Sequence, residues 1–481
     1  MLRTLRILNF KGWQDTGALE LAPLTLLFGV NSSGKSSIGQ FLMMLKQTAE
    51  SADRKMVLSP GDRKSAVQPG TFQQMVYRRD PSQRISFEYL WDLPEGLAIK
   101  DSFSGKQHHG DRLSFEASVG INEQKHSSIF VERFHYNLQR DDGSKVLAIG
   151  MERLPYSDDG YEVKASEYIL QPKEGRSGKM GPPVRFYGFP DEVAASFLNA
   201  EFVQELNLLQ EKLFRSIFYL GPLRTRAERL YTWAGNEPEG VGFNGEHTVS
   251  AILSAKNRWI GIGKNGPEKA FEQVIAEKLK DMGLIKSFKV SSISKKRQEY
   301  EVKISTGGAG DTVELPDVGF GISQVLPVLV QCFYAPRGSI IIMEQPELHL
   351  HPSAQSALAD VMIEVISSRE DKVERNIQLV METHSEHFLR RLQRRVAEGT
   401  VESGKVRAYF ADVSGAPPHL DPLRIDEFGT ILNWPEHFFG DEMGDVAEQA
   451  RAANPRSDRQ QVVGMERCAL LGGNHGEIPL P

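Results

Sequence analysis

Cysteine is nearly absent: Cys332 and Cys468 are the only two in 481 residues. A disulfide framework and a four-cysteine zinc site are thereby excluded, and so low a cysteine content is what a reduced intracellular protein predicts. Excess positive charge is missing too. Fifty-seven Lys and Arg stand against 63 Asp and Glu, a net charge of −6. That is too acidic for a protein that coats nucleic acid by bulk charge, so any DNA or RNA contact has to come from a local patch. No apolar run is long enough to cross a bilayer. Arg3, Arg6 and Lys11 break up the N-terminal stretch, so neither a membrane span nor a cleavable signal is expected, and the expected compartment is the cytoplasm. What remains is ordinary for a soluble chain, with 40% hydrophobic and 25% charged residues, far from the disordered and collagenous extremes. A chain about three times a typical domain length should fold around more than one core.

Leu2 to Phe10 is a strand candidate, and Leu24 to Phe28 is a second one that runs into a glycine turn. From Ser36 to Thr48, Ile38, Phe41, Leu42 and Leu45 recur at three- and four-residue spacing, which predicts one apolar helix face. Between about Arg84 and Phe189 the apolar residues alternate by two among Gly, Asp and Pro clusters, the pattern of an antiparallel β lobe. A short helical stretch with Phe197, Phe202, Leu206, Leu209 and Leu213 follows; it has no sustained heptads, so no long coiled-coil arm is expected. Ser339 to Met343 and Asn376 to Met381 are nearly unbroken apolar runs, typical of strands covered on both faces. Ala354 to Ile366 between them has helical periodicity, completing a strand, helix, strand unit. Val406 to Phe410 is one more strand candidate before an irregular tail.

Residues 29–36, Gly-Val-Asn-Ser-Ser-Gly-Lys-Ser, fit the pattern G-x-x-x-x-G-K-[ST] between a predicted strand and a predicted helix. The glycines let successive amides converge on phosphate oxygens at a helix start, Lys35 reaches the terminal phosphates and the Ser36 hydroxyl ligates magnesium. The expected ligands are therefore ATP and Mg²⁺.

Further on, Ile340 to Glu344 ends an apolar strand in a carboxylate, the position from which a Walker B residue holds magnesium. The next position, where a carboxylate usually activates water, is Gln345. An amide can orient water but cannot act as a general base. Either Glu347, two residues on, does the polarising or hydrolysis is slow. His349 and His351 have no further ligands at a familiar zinc spacing, so loop packing or a dimer contact is expected of them. His384 follows the next strand, where a switch histidine contacts the terminal phosphate, while His387 reads as structural. Asp317 to Gln324 runs into an apolar helix. Its Gly/Ser start is a second anion site, and two such sites in one chain fit an ATP sandwich, in which Gly319, Gly321 and Ser323 close on the partner's nucleotide.

The order of these motifs, with Gly319 to Gln324, Glu344 to Pro352 and Glu382 to Ser385 after a P-loop and a long insertion, resembles the ABC-like AAA ATPases of the overcoming-lysogenization-defect, RecF and SMC kindred. It is most similar to stand-alone members from bacterial anti-phage systems, such as the ATPase subunit of Septu and of related retron systems. The resemblance implies an α/β fold: a P-loop ABC-type head with a mixed or parallel sheet, an inserted antiparallel β lobe and a helical lobe. Residues 1–80 would form the N-terminal part of the head, 81–300 the inserted lobes, 301–415 the C-terminal part, and 416–481 a tail that is a candidate docking region. The same resemblance implies that Asn31, Ser32, Ser33, Gly34, Lys35, Ser36 and Ser37 hold the nucleotide, that Ser36 and Glu344 hold the metal, and that Glu344, Gln345, Glu347 and His384 form the catalytic set. Partners implied are a second copy or a higher homo-oligomer and a separate effector, in Septu an HNH nuclease.

A Toprim nuclease domain, which the overcoming-lysogenization-defect enzymes carry, is not expected. The stretch after His384 is short, and Asp441, Glu442 and Asp445 have the wrong spacing for its metal site. The basic runs Lys295 to Arg297 and Arg390 to Arg395 read as solvated faces, with a local DNA or RNA patch as the sharper alternative. Arg224, Arg226 and Arg229 are open between nucleic acid, nucleotide and an internal ion pair. Two other functions fit the same residues: a RecF-like repair or recombination ATPase that binds DNA, and a scaffold stabilised by ATP without turnover.

Overall fold

Two sheets share one helix in the computed structural model, which describes residues 1–122, 128–155, 157, 159–174, 179–263, 266–294, 298–307, 312–413, 417–435, 438 and 448–449. The first sheet has the strand order Ile217–Leu220, Ile340–Glu344, Gln378–Glu382, Leu24–Gly29, Val406–Asp412, His419–Leu423. The first five are mutually parallel and the last is antiparallel. Ile340–Glu344 and Gln378–Glu382 are buried at every position, as their unbroken apolar composition predicts for central parallel strands. The second sheet is antiparallel, with Leu2–Phe10 between Trp13–Asp15 and Ile85–Lys100, followed in order by Gln107–Asn122, Ser128–Gln139, Lys145–Arg153 and Tyr161–Ser166.

The helix Lys35–Glu50 lies between them. Phe41 packs edge-on against Phe10 and Phe87 of the antiparallel sheet, each with ring centroids 5.0 Å away. On the other side, a Cβ at Gly39 would come within 2.9 Å of the Ile342 side chain, so glycine lets the helix lie close on the parallel sheet. Burying each such phenylalanine stabilises the fold by roughly 1.5–3 kcal/mol relative to exposure. Gln378 ties the sheets by polar contacts: it accepts from the Leu2 amide at 2.9 Å and donates to the carbonyls of Leu2 and Ala22. The helices Phe320–Tyr334, Pro352–Ile366 and Glu386–Ala397 complete the head.

Two expected boundaries move. The opening strand Leu2–Phe10, expected in the N-terminal part of the head, belongs to the antiparallel sheet, paired to Ile85–Lys100; the β lobe is therefore built from both sides of the P-loop helix rather than wholly inserted after it. Residues 419–423, expected in the tail, form the last strand of the head sheet, with Leu420 and Leu423 buried. The helix expected across Phe197 to Leu213 begins only at Val203. Residues 1–433 form one compact unit, set apart from 434–481. In the latter, Trp434 and Phe438 meet edge to face at 5.1 Å. Cys468, Asp441, Glu442, Asp445 and the run 295–297 lie outside the described residues. Among the described residues, no helix is long and apolar enough to cross a membrane.

Candidate functional site

The P-loop leaves the strand Leu24–Gly29 and enters its helix at Gly34, which has φ +91°. A side chain there would be strained by the backbone and would also meet the Trp13 indole at 3.0 Å. Trp13 is fully buried and fastens the turn: its Nε1 donates to the Gly34 carbonyl at 3.1 Å and to Ser37 Oγ at 2.9 Å. Ser37 is thus occupied with the turn. Asn31 and Ser32 are exposed at the loop crest and Ser33 is buried beneath it. Lys35 is buried, and its ammonium donates to the carbonyls of Gly29 at 3.0 Å and Val30 at 2.7 Å and to Ser33 Oγ at 3.2 Å. Burial holds its pKa below the ordinary lysine value, and Glu382 acts in the opposite sense. A helix start leaves amides unsatisfied, so loop, lysine and helix together form an anion cradle.

The strand carrying Glu344 is separated from the P-loop strand by Gln378–Glu382. Its register sets Glu344 directly opposite Glu382. Sequence reasoning overlooked Glu382, and it is the residue that Ser36 reaches: Ser36 Oγ donates to Glu382 Oε2 at 2.6 Å. Glu382 Oε1 is 3.9 Å from Lys35 Nζ and 3.9 Å from His384 Nε2. Glu344 accepts instead from Tyr219 Oη at 2.7 Å. Beside the expected Ser36–Glu344 pair the structure thus places a further carboxylate, Glu382, against Ser36. Burial pushes the Glu344 carboxyl up to about 7, the Glu382 charge adds to the shift, and Tyr219 and Lys11 oppose it. Ser36, Glu344 and Glu382 offer only oxygen donors, which fits a hard cation such as Mg²⁺.

Gln345 has φ +44°, and its side-chain amide has no hydrogen-bond partner among the described residues. Its backbone is held on both sides, the N–H donating to the Glu382 carbonyl at 2.9 Å and the Arg224 guanidinium reaching the carbonyls of Glu344 at 3.2 Å and Gln345 at 3.4 Å. Arg224 is therefore an internal brace. Glu347 is buried, and its Oε1 accepts the His384 amide at 2.8 Å. The His384 ring is about one-third exposed, at 34%. Burial holds its pKa below the ordinary value, and Lys35 adds to that. Ser385 caps the following helix by accepting from the Phe388 amide, which fixes the histidine at a strand-to-helix corner.

Gly319 is the residue before the helix Phe320–Tyr334, and Ser323 lies in its first turn with its hydroxyl donating to the Phe320 carbonyl at 2.8 Å. A Cβ at Gly321 would meet the His349 carbonyl at 2.9 Å, so this helix start packs on the loop that follows Glu344. Arg229 anchors the same segment through Asp317 at 2.7 Å and Glu314 at 2.8 Å. Arg226 has no partner among the described residues. His349 packs edge-on against Phe320 at 4.8 Å, and His351 caps its helix by accepting from the Ser353 amide. The arginines of 390–395 are paired with acids of the chain: Arg391 and Arg395 with Asp360, Arg390 with Glu386 and Arg394 with Glu398.

A parallel sheet with one strand between the P-loop strand and the Glu344 strand, and a histidine after the intervening strand, is a P-loop α/β arrangement that fits an ATP-binding ATPase. In agreement, residues 265–389 match the family described as AAA ATPase domain, a span that holds Gly319 to Ser323, Glu344 and His384. Residues 408–449 match a protein family of unknown function, DUF3696. No curated protein matches the chain. Similar solved structures include an SMC head bound to the C-winged helix domain of ScpA, with 10% identity, TM-score 0.42 and coverage of 88% of this chain and 98% of that one. The SMC head domain from Thermotoga maritima gives 9%, 0.38, 88% and 99%. An Smc head with an extended coiled coil, bound to the C-terminal domain of ScpA derived from Pyrococcus furiosus, gives 10%, 0.41, 94% and 99%. At such TM-scores the strand order, not the overlay, defines the fold.

Proposed function

We propose that this chain binds ATP with Mg²⁺, pairs head to head with a second copy around two nucleotides, hydrolyses them slowly, and through this cycle controls a separate effector, an HNH-type nuclease in anti-phage defence. The observation that carries the ATP-binding core of this reading is the placement of Lys35 and Ser36 against Glu382, which lies opposite Glu344 at the ends of neighbouring parallel strands. Magnesium, held at Ser36 and Glu344, would neutralise charge on the terminal phosphates. Lys35 binds those phosphates by exchanging its loop carbonyls for phosphate oxygens. Gln345 orients water with its unengaged amide, and His384 donates toward the terminal phosphate. Gly319, Gly321 and Ser323 of the second copy close the site.

Slow turnover is supported by the state of Glu347. A buried carboxylate already accepting the His384 amide is suited to holding the switch loop, and a glutamine keeps that acceptor. Phosphate release from MgATP by the purified chain tests the reading. Glu347→Gln is expected to stay within about threefold of the wild-type rate, since no base is lost, and Glu347→Ala to fall by roughly tenfold or more as the unpaired amide loosens the loop. A loss in Glu347→Gln of about 100-fold would identify Glu347 as the base instead. Bound ATP with no phosphate release at all would favour the scaffold reading. The pairing of the 390–395 arginines with internal acids gives the DNA-clamp alternative no support at that helix.

A further inference from the structure

We propose that Glu382 is a positioning residue of the magnesium site, acting through Ser36 and supplying, beside Glu344, the second negative charge the cation meets. The inference rests on the nucleotide-binding reading above and assigns a role to a residue outside the expected P-loop serine and Walker B pair.

Three observations carry it. First, the register between the two parallel strands puts Glu344 and Glu382 opposite one another at the same sheet edge, both 8% exposed. Two buried carboxylates side by side repel and are each desolvated. Lys35 stands 3.9 Å from Glu382 and is already donating to two carbonyls and Ser33, while Lys11 is the ammonium that acts on Glu344. A divalent cation bound between oxygen donors removes that repulsion where Lys35 does not. Secondly, the proton of the Ser36 hydroxyl is given to Glu382 Oε2 at 2.6 Å. A hydroxyl has one proton and two lone pairs; with the proton committed, both lone pairs of Ser36 are available to ligate. Fixing a ligand's orientation through its other hydrogen bond is how outer-shell carboxylates tune metal sites. Thirdly, Glu344 is kept apart from Ser36 by its own donor, Tyr219, so the two carboxylates approach the site from separate anchors and do not compete for one proton.

The test separates metal from nucleotide. Affinity for a fluorescent ATP analogue is measured in EDTA and across a magnesium titration, with Mn²⁺ binding followed by electron paramagnetic resonance. In Glu382→Gln, affinity in EDTA is expected to stay near that of the wild type, while the magnesium concentration giving half-maximal tightening rises about 10- to 100-fold, with a parallel loss of Mn²⁺ affinity. Ser36→Ala is expected to shift the same midpoint. Glu382→Asp keeps the charge one methylene further back and should shift it less than Gln; measured alongside, it keeps the comparison open if one variant folds poorly. A midpoint in both Glu382 variants equal to the wild type, with Ser36→Ala shifted, would overturn the inference while leaving the nucleotide reading intact. A wild-type chain whose nucleotide affinity ignores magnesium would overturn both.

Discussion

Lys35→Ala is expected to weaken ATP binding by at least about 100-fold, close to 3 kcal/mol, the upper part of the range for a hydrogen bond to a charged group. Lys35 is buried in the loop it serves, its ammonium resting on the carbonyls of Gly29 and Val30 and on Ser33. Those are replaceable partners, and a triphosphate offers stronger ones, since charged acceptors give bonds about twice as strong as neutral ones. Without the lysine the loop amides and helix start remain, and they alone contribute a smaller share. Calorimetric titration with ATP checks this, with thermal unfolding as the control for folding. Unchanged affinity in a folded Lys35→Ala protein would mean that the nucleotide does not bind at residues 29–36.

Gln345→Glu is expected to raise the rate of phosphate release at saturating ATP by about 100-fold, the lower end of what a positioned general base contributes. The amide it replaces has no hydrogen-bond partner among the described residues, so no structural contact is lost. The backbone of the turn is held independently by Arg224 and by the bond from the Gln345 N–H to the Glu382 carbonyl. A new carboxylate would join Glu344, already pushed up to about 7 by burial, and the shared repulsion would raise its own pKa toward the working range of a base. An unchanged or lower rate would place the rate-limiting step elsewhere.

Much of this site is legible in the sequence because its parts are contiguous. The P-loop, its strand and the face of its helix lie within 24–50, and the run ending at Glu344 has the unbroken apolar character of a strand covered on both sides. What depends on register is not legible. Glu382 reads as an ordinary strand-end carboxylate until pairing with Leu24–Gly29 brings it beside Ser36 and pairing with Ile340–Glu344 sets it opposite Glu344. Trp13 and Tyr219 likewise gain their roles from residues far along the chain. Apolar content marks Leu2–Phe10 as a strand but does not say which sheet receives it, and its partner is Ile85–Lys100. The arginine-rich helix looks like a basic patch locally, because Asp360, which neutralises it, comes from the preceding helix.

The most direct test of the central claim, a nucleotide closed between two copies, is the solution mass of the protein with and without MgATP. Light scattering should give a mass with nucleotide about twice that without it, built on the 53.8 kDa chain. Ser323→Arg, which fills the helix start proposed to close on the partner's phosphate, should abolish the doubling while leaving ATP binding within about threefold, because the Lys35 contacts are untouched. A mass indifferent to ATP, or a Ser323→Arg protein that still doubles, would contradict the account.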